Sequence, residues 1–411
     1  MTTPTGRSGP GAAATSMADD GHAASPPAGA GPAGAPPAGA RPAGARPAGV
    51  PPAGARPSRP TPAPPQIPRR LLPGAVLLGL AVVLAATAGW ALTLGQATIT
   101  VGEVWASAGH HACTAAGLGA ACPADPLTAI QDAIIWQGRA PRVLAAAAVG
   151  AGLAVVGAVM QALTRNPLAD PYLLGVSSGA SVGAVLVLVL GLSAALPVAA
   201  FLGALAALVV TLALAARRDG GLSPVRTVLA GVAVAQLGSA VVSFVIFWSA
   251  TGDSYREILS WLMGSLGGAT WSEAWLAVGA TAVVGTFLAA QGRTLDAFTF
   301  GDVSAASLGI AVTRTRWVLL GAGALLTALL VAVAGSIGFV GLVVPHAVRL
   351  LVGGRHHRLL PVAALGGAIF LLLADTVSRS MFEPRELPVG ILTAAIGAPV
   401  FAVLLRRRGR E

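Results

Sequence analysis

The sequence predicts an all-α membrane protein with about ten transmembrane helices. Of its 411 residues, 55% are hydrophobic and only 10% are charged, and the mean hydropathy is +0.76. Soluble domains carry about 25% charged residues. The net charge of +10 would also suit nucleic acid. The arginines, however, lie in a polar tail and at the ends of apolar runs, which is typical of membrane topology signals. We therefore expect a lipid bilayer as partner and no nucleic acid.

The first 68 residues differ in composition from the rest. They are Pro, Ala, Gly and Arg in loose repeats, without an apolar run that could form a core. We expect a disordered cytoplasmic tail over 1–68 and a transmembrane domain over 69–411. The tail is either a solvated extension, which we favour, or a weak electrostatic contact for lipid headgroups or a partner. No signal-peptide-like apolar stretch occurs before Leu71.

From Leu71 onward, apolar runs recur at lengths near the ~20 residues that cross a bilayer. The expected spans are 73–95, 143–163, 172–192, 196–216, 227–250, 272–291, 316–334, 335–352, 361–381 and 388–405. The run 316–352 is too long for one helix, so we divide it at Gly335-Ser336, where a tight turn is plausible.

The distribution of arginine supports an even number of spans with both termini in the cytoplasm. With that topology, 21 of the 26 arginines lie inside, as the positive-inside rule requires. The five exceptions outside are Arg139, Arg142, Arg256, Arg379 and Arg385. Arg139 and Arg142 are three residues apart and share a helix face.

Several kinds of chemistry are excluded or disfavoured. The chain has no lysine, so a Walker A loop and a lysine Schiff base are impossible. We find no paired carboxylates, no nucleophile with a base and no metal-ligand spacing, and we expect neither an enzyme nor a cofactor. Asp170 and Asp375 are the acids nearest the membrane interior. They could form a proton relay, but pairing with nearby arginines, such as Arg165 with Asp170, fits better.

One apolar run contains residues that a lipid-facing helix avoids. It reads Gly338-Phe-Val-Gly-Leu-Val-Val-Pro-His-Ala-Val-Arg349. In a bilayer the proline frees a backbone carbonyl, and the ionisable groups need a partner or a watery cavity. We expect a buried helix with His346 packed inside. A second unusual string is Thr164-Arg-Asn-Pro-Leu-Ala-Asp-Pro-Tyr-Leu-Leu-Gly-Val-Ser-Ser-Gly-Ala, which ends one helix and begins another.

Together with Ala374-Asp-Thr-Val-Ser-Arg379 and Glu386-Leu-Pro-Val-Gly390, these strings resemble the FecCD family, from about Leu71 to Arg408. The matching motif residues are Asn166, Pro167, Asp170, Pro171, Gly175, Gly338, Gly341, Pro345, His346, Arg349, Asp375, Glu386, Leu387, Pro388 and Gly390. The resemblance implies a permease bundle of the type II ABC importer kind. It also implies a ferric siderophore as the expected substrate, with haem or cobalamin as alternatives.

The resemblance also implies partners and contact sites. The partners are a second permease copy (homodimer or related heterodimer), two cytoplasmic ATP-binding cassette subunits and an extracytoplasmic substrate-binding lipoprotein. The loop 295–312 matches the family's coupling helices at Gly301, Asp302, Ala305, Leu308 and Gly309, with Ala305, Leu308 and Ile310 expected as knobs. Arg139, Arg142 and Arg379 match arginines that dock the binding protein, although Arg379 could instead pair with Asp375. Spans five and ten and the helix near 257–267 are expected to line the path.

The only cysteines, Cys113 and Cys122, lie in the outer loop 96–140 and can form a disulfide there. A metal site with His110 and His111 is the alternative; we expect these histidines to be merely exposed, and no metal. Arg355, His356, His357 and Arg358 are interpreted as an interface or topology signal. Two other functional classes remain open: a secondary transporter driven by an ion gradient, and a membrane scaffold.

Overall fold

The structure is a computed structural model that describes residues 72–95, 99–118, 121–218, 220–249, 252–382 and 385–408. The predicted disordered tail, 1–68, lies outside these residues. The helices are α1 (Leu72–Thr93), α2 (Val101–Ala115), α3 (Ala129–Ala133), α4 (Ala140–Thr164), α5 (Val176–Val189), α6 (Leu196–Ala215), α7 (Pro224–Ser249), α8 (Gly252–Leu262), α9 (Trp271–Ala280), α10 (Thr286–Ala290), α11 (Gly292–Thr299), α12 (Asp302–Ser307), α13 (Val312–Ala334), α14 (Val340–Val352), α15 (His356–Ser380) and α16 (Val389–Arg408). Two π-helical segments, Ile134–Arg139 and Thr281–Gly285, join α3 to α4 and α9 to α10.

Among the described residues, seven helical stretches are long and apolar enough to cross a membrane. They are Gly74–Thr93, Ala129–Thr164, Ser193–Ala215, Pro224–Ser249, Trp271–Ala290, Val312–Ala334 and His356–Ser380. Three shorter apolar helices, Val176–Val189, Val340–Val352 and Val389–Val403, complete the set. Each corresponds to one of the ten expected spans. The division of the long run is confirmed, because α13 ends at Ala334 and α14 begins at Val340.

Helix α4 forms the centre of the bundle and is the most buried of the long spans. It packs on α15, α14, α13 and α9. Glycine makes two of these approaches possible. A Cβ at Gly157 would lie 1.9 Å from the Gly341 carbonyl oxygen, and one at Gly150 would lie 2.2 Å from that of Gly367. Backbones that approach this closely are the usual means of packing membrane helices.

Helices α2 and α3 form a hairpin outside the bundle proper. α2 begins with a capping box in which Thr100 and Glu103 bond each other's backbone N–H groups. A small apolar cluster of Ile99, Val104 and Ile135 holds the hairpin against the end of α1. Within the hairpin, Cys113 and Cys122 are bonded, at the positions where the sequence predicts a disulfide.

The hairpin marks one end of the bundle, where α1 and α15 end and α4 begins; we call it the disulfide end. At the opposite end α4 stops and α13 and α15 begin, and the short helices α11 and α12 lie there. We call this the α12 end.

Candidate functional site

At the disulfide end, an ion network around Arg142 joins several helices. Its guanidinium donates from Nε to Asp375 Oδ2 at 2.9 Å and from Nη2 to Asp375 Oδ1 at 3.0 Å. Its Nη1 donates to Glu386 Oε2 at 2.6 Å. Arg142 and Asp375 are buried, whereas half of the Glu386 side chain is exposed. This geometry is the paired, multiply hydrogen-bonded arrangement that a buried charge requires, and it ties α4 to α15 and to the segment before α16.

Two further arginines cap the end of α1. Arg139, also buried, donates to the Leu92 carbonyl oxygen at 2.8 Å, and Arg379 donates to that of Ala91. Cations are favoured at helix C-termini, where carbonyl groups lack helical partners. The alternative prediction, a pair between Arg379 and Asp375, holds only as an attraction between nearby charges, since Asp375 accepts from Arg142 and Arg379 donates to Ala91. The three predicted docking arginines do converge, but their charged groups are already bonded within the chain.

The segment between α13 and α14 is hydrogen-bonded to the motif at the start of α5. The Tyr172 hydroxyl donates to the Ile337 carbonyl at 2.8 Å and accepts from the Ile337 N–H at 3.0 Å. The hydroxyls of Ser177 and Ser336 are 2.7 Å apart. Asp170 caps this motif by accepting from Tyr172 N at 2.8 Å. The expected pairing of Arg165 with Asp170 is corrected, because the Arg165 guanidinium lies beside Gly301 instead.

The proline and arginine of α14 meet one partner on α4. Pro345 lies inside α14 and cannot donate to the Gly341 carbonyl one turn earlier. Gln161 Nε2 donates to the carbonyl oxygens of Gly341 and Leu342, at 3.4 and 3.3 Å. Gln161 Oε1 then accepts from Arg349 Nη2 at 3.1 Å. The buried Gln161 therefore satisfies both the freed carbonyl and the arginine, and the sequence did not single it out.

Two ion pairs fasten the short helices at the α12 end. Arg316 is buried and donates to Asp302 Oδ1 at 2.7 Å and to the Leu222 carbonyl at 3.0 Å. The Arg316 guanidinium holds the pKa of Asp302 below its usual value. His356, at the start of α15, meets Asp296 Oδ1 with both its backbone N and its Nδ1, at 2.8 and 2.7 Å. His356 is thus a buried structural contact and not part of an exposed interface, whereas its neighbours Arg355 and His357 are exposed.

Comparison with known proteins identifies the bundle. The model of the FecCD transport family matches residues 68–407. The chain belongs to the FecCD family. It is similar to the uncharacterised ABC transporter permease YvrB of Bacillus subtilis, with 46% identity over 283 residues, 67% of this chain and 80% of YvrB. The vitamin B12 import system permease BtuC of Escherichia coli is 43% identical over 292 residues, 70% of this chain and 88% of BtuC.

A solved structure agrees with these relatives. It shows a protein described as a metal-chelate type ABC transporter in an inward-facing conformation. That chain is 32% identical to this one, and the TM-score is 0.70. The match covers 81% of this chain and 99% of that one. The FecCD chain is therefore a multi-pass membrane permease of the ABC importer type, a transport subunit.

The coupling residues predicted for this FecCD permease do not all lie at its surface. Leu308 is exposed, as expected, but Ala305 is fully buried, so its predicted role as a knob is wrong. The most exposed apolar side chains of this region are instead those of Phe300, between α11 and α12, and Val303, on α12. Residues two apart point to nearly opposite sides of a helix. The spacing places Val303 and Ala305 on different faces of α12, and the packing of α12 decides which face is buried.

The FecCD motif residues Leu387 and Gly390 serve close packing at the start of α16. Gly390 N donates to the Gly264 carbonyl at 3.3 Å, and a Cβ at Gly390 would lie 1.9 Å from the Met263 carbonyl oxygen. Leu387 N donates to the Ser378 carbonyl at 3.2 Å. The Glu-Leu-Pro-Val-Gly string thus fits the start of α16 between α8 and α15.

Proposed function

We propose that this permease carries a metal chelate, in the first place a ferric siderophore, inward across the plasma membrane with energy from separate ATPase subunits. Both termini are cytoplasmic, and the α12 end faces the cytoplasm. A second permease copy completes the path, and an extracytoplasmic lipoprotein delivers the substrate to the disulfide end.

Two independent signals support this orientation. Arginines near the α12 end, such as Arg217, Arg218 and Arg314, are numerous and follow the positive-inside rule. The disulfide at the opposite end requires an oxidising compartment, which the cytoplasm is not.

The observation that carries the proposal is the exposed apolar surface formed by α12, its junction with α11 and the residue that follows it. Phe300, Val303 and Leu308 are exposed by 79%, 85% and 71% at a loop that would otherwise face water. Exposed apolar residues that cluster in this way mark interaction sites. The same helices are fastened to α13 and α15 by ion pairs, so a push on this surface reaches the spans. We assign it as the docking surface for the ATPase.

The test replaces Val303 and Leu308 by arginine and measures co-purification of the ATPase subunit and transport in proteoliposomes. We expect both to be lost while the permease remains folded, because neither side chain supports the core. The matched control is Ile130→Arg, since Ile130 is 75% exposed at the disulfide end. That variant should retain the ATPase. Intact assembly of the Val303/Leu308 variant would overturn the docking assignment.

The arginines predicted to dock the binding protein need an additional step. In this conformation Arg142 is bonded to Glu386, which is half exposed and lies at the surface of the network. An acidic group of the binding protein would therefore have to exchange with Glu386 to reach Arg142. Glu386→Gln should strengthen docking of the binding protein, whereas Glu103→Gln, which preserves the capping box, should leave it unchanged. Weaker docking of the Glu386 variant would argue against the exchange.

We place the second copy of the permease against two exposed apolar faces. On α7, Leu237 and Phe244 are exposed, and on α16 so are Ile396 and Val400. These are the expected path-lining spans five and ten, and their chemistry suits a subunit interface as well as lipid. Size-exclusion chromatography with light scattering on the assembled transporter should give two permease copies.

The substrate is tested by growth. A deletion strain, supplied separately with ferric siderophore, haem or cobalamin, should fail on the siderophore alone. Failure on cobalamin would move this permease to the function carried by the BtuC relatives. Secondary transport predicts uptake in proteoliposomes without any ATPase subunit, and such uptake would overturn ATP-driven import.

A further inference from the structure

The disulfide hairpin brings three metal-ligand side chains together. His111 on α2, Asp125 in the following loop and Asp132 on α3 place one ligand atom each within 4.8 Å of one another. His111 Nε2 lies 2.7 Å from Asp132 Oδ1 and 3.8 Å from Asp125 Oδ2. In a tetrahedral zinc site, with bonds of about 2.0–2.2 Å, neighbouring ligand atoms are about 3.3 Å apart. Small side-chain rotations would therefore open a space for one ion.

The surroundings hold these groups in place. The fully buried Ser107 lies between the two carboxylates, with its Oγ 3.3 Å from Asp125 Oδ2 and 3.4 Å from Asp132 Oδ1. Trp136 Nε1 donates to Ser107 Oγ at 3.0 Å, and its ring packs edge-on against His111. Leu127 N donates to the second oxygen of Asp125 at 3.0 Å. Hydrogen bonds of this kind orient metal ligands and set their affinity.

The disulfide adds a covalent restraint. Cys113 follows His111 by two residues, and Cys122 precedes Asp125 by three. The bond therefore fixes two of the three ligands relative to each other before any ion arrives. A restraint of this type reduces the ordering cost of binding.

The local charge points to a cation. No lysine or arginine occurs between Arg70 and Arg139. Of the two histidines in the hairpin, His111 meets both aspartates, whereas His110 meets the Pro123 carbonyl. A simple ion pair would need one carboxylate, and the hairpin supplies two. One imidazole with two carboxylates is a nitrogen and oxygen ligand set that suits a divalent transition metal and disfavours calcium.

We propose that His111, Asp125 and Asp132 bind one zinc ion at the disulfide end, with the fourth position open to solvent. The expectation of exposed histidines and no metal is revised accordingly. The ion replaces the hydrogen bond between His111 and Asp132 and fixes α2 against α3. His110, whose Nδ1 meets the Pro123 carbonyl at 2.6 Å, takes no part in the site.

The test is zinc binding by the full-length permease in nanodiscs, purified with its affinity tag removed and treated with a chelator. Calorimetry and elemental analysis should show one zinc per chain. Replacement of Asp125 or Asp132 by Asn should weaken binding at least about tenfold, and His111→Ala should abolish it. His110→Ala is the matched control and should bind as the wild type does.

A thiol assay on every variant shows whether the disulfide has formed. Where no free thiol is found, the hairpin is closed and free cysteines are not the zinc ligands. Excess calcium should not compete with zinc. The proposal is overturned by the absence of stoichiometric zinc, by equal affinity in the His111 and His110 variants, or by calcium that competes as well as zinc does.

Discussion

The two ends of the bundle hold their charges differently. At the disulfide end the ion pair between Arg142 and Asp375 is buried on both sides. At the α12 end each pair joins one buried residue to one that is partly exposed: Arg316 to Asp302, 39% exposed, and His356 to Asp296, 31% exposed.

The difference has a mechanical consequence. When a buried ion pair is broken, both charges are left without solvent, and the free-energy cost is large. When one partner is partly exposed, water can take its place at a smaller free-energy cost. The disulfide end should therefore keep α4 fixed against α15. The α12 end can let α11 and α12 shift relative to the spans that they contact. A permease that is driven from the α12 end needs ion pairs there that can break and re-form at small cost.

The largest effect should follow from removing one member of the buried pair. Asp375→Asn leaves the Arg142 charge in the bundle interior with only Glu386 to balance it. Loss of one partner from a buried pair costs about 3–5 kcal/mol, so we expect a strongly reduced yield and Tm by fluorescence-detected size exclusion. Glu386→Gln, at the exposed edge, should cost much less. Equal effects of the two variants would show that burial does not distinguish them.

A smaller effect should follow at the buried glutamine. Gln161→Leu removes the donor to the carbonyls around Pro345 and the acceptor for Arg349, and an unsatisfied buried group costs about 1–3 kcal/mol. Pro345→Ala restores a backbone N–H to α14 and should reduce the penalty of the Gln161 variant. Thermal unfolding of the two single variants and the double variant gives this coupling. Additive effects would contradict the assigned role of Gln161.

Gln161 also shows the limit of what the sequence could predict. Apolar runs, arginine placement and motif strings were enough for the spans, the split near Gly335 and the disulfide, because each depends on local composition or spacing. The pairing of Arg142 with Asp375 joins residues 233 positions apart, and only the packing of α4 on α15 brings them together. The same holds for Gln161 and Arg349. The sequence also does not show that Ala305 is buried, because helical spacing separates it from Val303 without telling which of the two faces the bundle.

At the α12 end, Asp296→Ala should have a moderate effect. The backbone N and Nδ1 of His356 both lose their acceptor, and hydrogen bonds of this kind contribute about 1 kcal/mol each. Asp296→Asn keeps an oxygen at that position and should retain part of the stability. The comparison requires Tm values for both variants at one pH. If the Ala variant were as destabilised as Asp375→Asn, the ion pairs at the α12 end would not contribute less to stability than the buried pair.

The smallest loss should come from Asp302→Asn, because solvent screens the 39% exposed Asp302 carboxylate, the Asn oxygen can still accept from Arg316, and Arg316 keeps its bond to the Leu222 carbonyl. Its sign with pH is fixed by the lowered pKa of Asp302 beside Arg316. A depressed carboxyl pKa stabilises the fold above the ordinary aspartate value and loses that contribution as the pH falls through the folded value. The Tm difference from wild type should therefore be present at neutral pH, shrink in acid below the ordinary aspartate range, and shrink with added salt. A difference that persisted in acid would mean that the Asp302 carboxylate charge is not what holds α12, and the distinction between the two ends would then rest on packing alone.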